Sequence, residues 1–422
     1  ILVKVILASV LSQVLQGRPS EDQFPFMAPV DEPITSCDPL EALRGGAVSP
    51  AYWRKLCPWL HVEDAGMRKL AQTAVFPYME GDEELADRAD TWAGDLTNEG
   101  YFSALPEELP WAASISDLAQ GVEVLVAAGL PPSCILAFDE PWLMAAQLSQ
   151  LTRVVTGGNE PIMDWAAFCV KAKAANVDNC GECPEGAGPR PALAPAGWPP
   201  HRDRGTDDAA MHGFRADGTP RYATFWLALT DATPETSCLM CVPKHKDPGY
   251  IDGDRGVSPL TAIFNRPEAF QHIRALPMHA GGLVAFSHRL LHWGSAADPR
   301  AAKPRISIAF AVADPSYNKP YFSRELLPLP PLAVRLALIA GQALAYCQNE
   351  NLVSSVSRAD LFWDLFKAKA STFDPGFQRM VAEHKAFLDQ AFSVGCTVKD
   401  TCTDNEEEEE VGSLDELFAG IE

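Results

Sequence analysis

The sequence predicts an α+β protein: helices at both ends of the chain and a jelly-roll or barrel core between them. Helical periodicity dominates from Glu41 to about Lys173 and returns past Pro330. From His201 to about Ala313 the runs "YATFWLALTD", "SCLMCVP", "GGLVAFSHRLLHW" and "PRISIAFAVAD" are short, aromatic or β-branched, and bounded by Gly, Pro and Asp, which is strand chemistry. With 422 residues, 47% hydrophobic and 21% charged, the chain is long and apolar enough to bury a large core.

The elements follow in order. Residues 1–40 read as an apolar start and a Pro- and acid-rich arm; Lys4 interrupts the apolar run, which suits either a targeting remnant or a packed helix. A main domain is expected over 41–330, with its jelly-roll core at about 165–320. In "SISDLAQGVEVLVAAGLPP", Ile115, Leu118, Val122 and Leu125 fall at helical spacing, and Gly129 and Pro131 stop the helix. "PIMDWAAFCVKA" suits a first strand or a short helix. Asp178 to Pro200 has ten Gly or Pro in 23 residues, a long loop of the kind that carries function or stays unfolded. A helical extension is expected at 331–395, where Asp374 caps a helix opened by Pro375, with Phe377, Met380, Val381, Phe387, Leu388 and Phe392 as its apolar stripe. Residues 396–422 form an acidic, disordered tail whose Leu414, Leu417, Phe418 and Ile421 share a helical face.

Charge narrows the function. Lys and Arg total 34 against 56 Asp and Glu, a net charge of −22, which repels phosphate backbones and anionic membranes; nucleic acid is excluded as a partner and a small molecule is favoured. No apolar run reaches the roughly 18 residues of a membrane span. Eleven cysteines, an odd number, argue against a disulfide framework and for an intracellular, cytoplasmic setting, with organelle targeting open. "CGEC" (Cys180, Cys183) and "CLMC" (Cys238, Cys241) lie too far apart for a zinc finger and read as free thiols. Oligomeric state is not legible.

Chemistry concentrates in "GWPPHRDRG". Side chains at i and i+2 share a strand face, so if "PPHRDR" enters a strand His201 and Asp203 converge and offer two of the three ligands of a facial triad. A second imidazole must come from elsewhere. If "GGLVAFSHRLLHW" is one strand, His288 and His292 share a face; His292 stands at its rim and is the expected ligand, with His288 as rival. In "PRISIAFAV", Arg305, Ser307, Ala309 and Ala311 share one face while Ile306, Ile308, Phe310 and Val312 share the other. The first face offers a guanidinium fork and a hydroxyl for a carboxylate, then small residues that leave room.

On "PPHRDR", "TFWLALTDATPETSCLMCVPKHK" and "GGLVAFSHRLLHWGSAADPRAAKPRISIAFAV" the chain resembles the phytanoyl-CoA dioxygenase family, firmly over His201 to Asp314 and more faintly over Gly100 to Pro110. The resemblance implies a double-stranded β-helix (jelly-roll, cupin-like) and an Fe(II)- and 2-oxoglutarate-dependent dioxygenase that hydroxylates a C–H bond and releases succinate and CO2, with ascorbate as an accessory reductant. It assigns His201, Asp203 and His292 to iron, Arg305 to the far carboxylate of 2-oxoglutarate, and Trp226 to the wall of that pocket. Ser307 is added from strand parity. Asp203 favours hydroxylation, since related halogenases carry a small residue there. Thr236-Ser237 replaces the family's frequent Asn-Gly, and Pro243-Lys244-His245 its Gly-Ser-His; His245 reads as a turn residue. Lys244, Lys246 and Arg255 are candidates for an anionic acyl substrate. Two other readings remain: a non-catalytic jelly-roll scaffold, and a cupin-like metal hydrolase or isomerase.

Overall fold

The computed structural model describes residues 49–76, 83–172, 198–204, 210–254, 256–346 and 356–393. The described residues belong to one compact unit. The arm, "CGEC", Arg255 and the acidic tail lie outside the described residues.

The N-terminal helices are α1 (Pro50–Leu56), α2 (Ala65–Thr73), α3 (Glu83–Asn98), α4 (Ile115–Ala127) and α5 (Glu140–Val155). Helix α4 starts where the Ser114 hydroxyl accepts from the Asp117 amide, and ends before Gly129, whose φ of 75° suits a residue without Cβ. Its Leu118, Val122 and Leu125 are buried, as their spacing predicts. The strands are β1 (Tyr101–Ala104), β2 (Glu160–Val170), β3 (Trp198–His201), β4 (Tyr222–Ala228), β5 (Leu239–Val242), β6 (Arg274–Leu276), β7 (Leu283–Ser287), β8 (Leu291–Gly294) and β9 (Arg305–Ala313). Short helices α6 (Gly249–Asp252) and α7 (Pro259–Ile263) follow β5. Helices α8 (Leu332–Ala345), α9 (Val356–Lys367) and α10 (Pro375–Ser393) close the described chain.

The strands form two antiparallel sheets, one in the order β1-β7-β4-β9-β2 and one in the order β3-β8-β5-β6. They face one another as a double-stranded β-helix. Trp226, Val284 and Phe286 of the larger sheet meet Leu239, Cys241 and Leu276 of the smaller one in a shared core. The opposite face of the larger sheet points Phe225, Leu227, Leu283, Ile306, Ile308 and Phe310 at Leu118, Val122, Leu148 and Leu338 of the helices. Strand parity thus sorts each strand between an inner and a helix-covered side. Arg335 of α8 ties the two helical regions together: its Nη1 donates to Asp139 Oδ1 at 2.6 Å with both side chains fully buried. Among the described residues no helix is long and apolar enough to cross a membrane.

Three expectations change. "PIMDWAAFCVKA" is a strand, paired with β9 from Glu160↔Ala313 to Val170↔Arg305. The larger sheet also recruits Tyr101–Ala104, far upstream of the expected core, through register with Phe286 to Leu283. "GGLVAFSHRLLHW" is not one strand: β7 ends at Ser287, β8 begins at Leu291, and the two lie in different sheets. The backbone turns at His288–Leu290 because the Leu290 amide donates back to the Ser287 carbonyl at 3.0 Å. His288 and His292 therefore do not share a strand face.

Candidate metal centre

Three donors meet inside the barrel. One ligand atom from each of His201, Asp203 and His292 lies within 4.8 Å of the others, the described residues' one such group of three or more. Strand pairing brings them there. His201 ends β3 and stands in register with His292 of β8, with their ring centroids 4.3 Å apart. Asp203 follows two residues later, beyond the strand end, so the pair does not share a strand face as expected; the bend after His201 instead turns Asp203 Oδ1 to 3.7 Å from His201 Nε2 and 3.5 Å from His292 Nε2.

Each ligand is oriented by a partner behind it. His201 Nδ1 lies 2.8 Å from the Pro199 carbonyl oxygen and His292 Nδ1 lies 3.0 Å from that of Leu290. A carbonyl oxygen only accepts, so each Nδ1 carries the proton and each Nε2 presents a lone pair to the centre. Thr224 of β4 donates its hydroxyl to Asp203 Oδ2, leaving Oδ1 to face the histidines. Burial pushes the His292 imidazole down to about 4 against the pull of Asp203, so it is neutral near pH 7. Two imidazoles and one carboxylate suit a divalent transition metal.

The remaining expected residues gather next to this centre. Arg305 starts β9 and is buried at 4% exposure. Its Nε donates to the Ser237 carbonyl at 3.1 Å and its Nη1 to Ser307 Oγ at 2.7 Å, and its guanidinium carbon lies 5.5 Å from the Trp226 ring centre. None of the ion pairs among the described residues involves Arg305, and burial lowers it to about 10 with only Cys238 and Cys169 acting in the opposite direction. A buried cation without a carboxylate partner is costly unless something else supplies the anion. Gly294, two residues past His292, adjoins this group: a Cβ there would be in van der Waals contact with Arg305 Nη2 and Ser237 Oγ, 3.4 Å from each.

Other candidates fall away from the centre. His288 is buried with Nδ1 3.1 Å from the Tyr222 carbonyl oxygen, and burial pushes it down to about 4, so it serves the packing around Phe214. His245 pairs with Glu99 at 3.1 Å, in keeping with a turn residue. Lys244 donates to the Thr97 carbonyl at 2.7 Å rather than facing the barrel interior. Cys238 and Cys241 are free and buried, and burial raises their thiols to about 11 and about 12, which keeps them protonated.

Sequence reasoning missed Arg202, which sits between two of the donors. Its guanidinium reaches Asp247 at 2.6 and 2.9 Å and Asp254 at 2.7 and 3.0 Å, and it also donates to the Arg289 carbonyl. The loop after β5 is thereby clamped to the strand end that presents His201 and Asp203. The aspartates of "KHKDPGYIDGD" were the available signal, but they stand 45 and 52 residues from Arg202. Arg204 was missed similarly: its Nη2 donates to Asp164 Oδ2 at 3.0 Å, and the same oxygen accepts from Tyr346 at 3.0 Å.

No curated protein matches the chain in sequence. Solved structures similar to it include the non-heme alpha ketoglutarate dependent epimerase SnoN from nogalamycin biosynthesis (19% identity, 54% of this chain and 82% of that one, TM-score 0.38). Others are AviO1 from Streptomyces viridochromogenes Tue57 (16% identity, 55% and 96%, TM-score 0.36) and EctD from S. alaskensis with bound Fe (16% identity, 62% and 83%, TM-score 0.37). Residues 184–302, the stretch that contains His201, Asp203 and His292, match the phytanoyl-CoA dioxygenase family.

Proposed function

We propose that this protein is an Fe(II)- and 2-oxoglutarate-dependent dioxygenase that hydroxylates a C–H bond of a small-molecule or acyl substrate. The observation that carries the reading is a juxtaposition: two imidazoles and one carboxylate with their lone pairs converging, beside a buried guanidinium that no carboxylate among the described residues pairs with. His201, Asp203 and His292 are the residues that would hold iron. Arg305 would hold the far carboxylate of 2-oxoglutarate, with Ser307 as a second donor and Trp226 as the wall. The glycine beside Arg305 at position 294 and a cation that no described carboxylate pairs with suit such a dicarboxylate.

When bound, iron and 2-oxoglutarate supply the oxidising power: O2 and 2-oxoglutarate are consumed, succinate and CO2 leave, and one oxygen atom ends as the substrate hydroxyl. The chain's own residues do the rest. The carbonyls of Pro199 and Leu290 hold the two rings in one tautomer and one orientation, and Thr224 fixes the carboxylate. Arg305 and Ser307 set the direction from which the co-substrate approaches. The inward Ala309 and Ala311 of β9 leave room beside Trp226 and Thr224, with which they are in register.

A hydrolase or isomerase reading leaves Arg305 without a role. Screening metabolite pools for substrate-dependent succinate formation tests the proposal. Succinate is expected from the wild type and not from Asp203→Ala; equal release from both would sink it.

A further inference from the structure

The turn ahead of β5 holds a serine where the backbone favours glycine. Ser237 has φ of 76°, in the left-handed region that crowds a Cβ. Its residue surface is fully buried, and its Oγ has no hydrogen-bond partner among the described residues. A strained backbone and an unmade buried hydrogen bond thus coincide at one position, and glycine would relieve both. Such a combination persists where the side chain meets something the chain does not itself contain.

The hydroxyl and the Arg305 guanidinium border the same point. Gly294 lies on the same inward face of β8 as His292, and the point where its Cβ would stand is 3.4 Å from both Ser237 Oγ and Arg305 Nη2. The same serine holds Arg305 through its carbonyl, which accepts from Nε at 3.1 Å. Hydroxyl and guanidinium therefore flank one point, with Ser307 beyond the guanidinium at Nη1.

We infer that Ser237 is a co-substrate-binding residue: its hydroxyl donates to the carboxylate held by Arg305, so that group is gripped by Arg305, Ser307 and Ser237 together. The inference rests on the 2-oxoglutarate reading above and adds a donor that the family's frequent glycine at this turn cannot supply. A neutral donor on a carboxylate makes a charge-assisted hydrogen bond, and its loss weakens binding about tenfold.

The test is equilibrium binding to the Fe(II)-loaded protein without O2, followed by tryptophan fluorescence and calorimetry, for wild type, Ser237→Gly and Ser237→Ala. Two probes are used: 2-oxoglutarate, and 2-oxobutyrate, which has the same 2-oxo acid head and no far carboxylate. Both variants are expected to raise the 2-oxoglutarate Kd about tenfold and to leave the 2-oxobutyrate Kd within about twofold of wild type. Ser237→Gly, which also releases the backbone, is expected to melt at or above the wild-type temperature. Unchanged 2-oxoglutarate affinity in both variants overturns the role of Ser237 while leaving the dioxygenase reading intact. Equal weakening of both acids also overturns it, as a structural effect. A wild type that binds no 2-oxoglutarate overturns the inference together with the reading beneath it.

Discussion

Arg202 and Arg305 are both almost inaccessible to water, yet their surroundings are opposite. Around Arg202 the chain supplies two carboxylates, Asp247 and Asp254. Burial alone would lower this guanidinium, but hydrogen bonds to the two aspartates outweigh it and raise its pKa. Around Arg305 the chain supplies a carbonyl, a serine hydroxyl and an indole face, and burial lowers the group to about 10. A buried cation that the fold neutralises belongs to the folding of the loop it clamps. One left without an anion is strain that a ligand can relieve.

Mutations can break that contrast. The largest expected effect is at the centre both arginines serve: His201→Ala or Asp203→Ala abolishes succinate formation while the far-ultraviolet dichroism stays at the wild-type level. Arg305→Ala comes next. Losing one partner of a buried charge pair costs about 2–5 kcal/mol, so the 2-oxoglutarate Kd should rise by about two orders of magnitude. The ligand-free melting temperature should hold or increase, because an uncompensated charge is gone. Arg202→Ala should do the reverse, lowering unfolding stability by about 3–5 kcal/mol through the stranded aspartates, measured by urea denaturation. Lysine should not rescue it, having no fork to span Asp247 and Asp254. An Arg202→Ala protein as stable as wild type would erase the distinction.

Two smaller effects sharpen it. Thr224→Val leaves Asp203 Oδ2 without its donor and should weaken metal affinity about 10–100-fold, read by competition with a chelator. The last concerns pH. His288 and His292 are both lowered to about 4 by burial, while an unfolded histidine titrates near about 6.5. Between those values the unfolded state binds protons that the folded state does not, so stability falls with falling pH. It is complete above about pH 6.5 and decreases towards pH 4, by about 2 kcal/mol per histidine at pH 5. Urea midpoints of the metal-free protein between pH 7 and pH 5 test this; a flat profile would contradict it.

Part of the site was legible because strand parity is strict within β9, whereas it did not govern His201 with Asp203 or His288 with His292. Alternation in "PRISIAFAV" separates Arg305 and Ser307 from Ile306 and Ile308, and the structure buries the latter pair against the helices. His201, Asp203 and His292 are brought together as their types suggested. The break between His288 and His292 was hidden because "FSHRLLH" contains no Gly or Pro to mark a turn; the change of sheet is decided by tertiary pairing. Strand β1 was hidden because four residues among helices carry too little periodicity. Arg202, Arg204 and Ser237 were hidden for a shared reason. Their partners are remote in the chain or, for the Ser237 hydroxyl, not found among the described residues, and no local pattern announces them.

Pairing of β3 with β8 has one more consequence. Its two facing imidazoles come from distant stretches of chain, and neither strand carries a pair of donors by itself. High-affinity metal capture therefore reports that the smaller sheet has zipped shut, and it gives a refolding experiment a late clock. Far-ultraviolet signal from the helices should recover first, and cation uptake should lag until the last edge is in place.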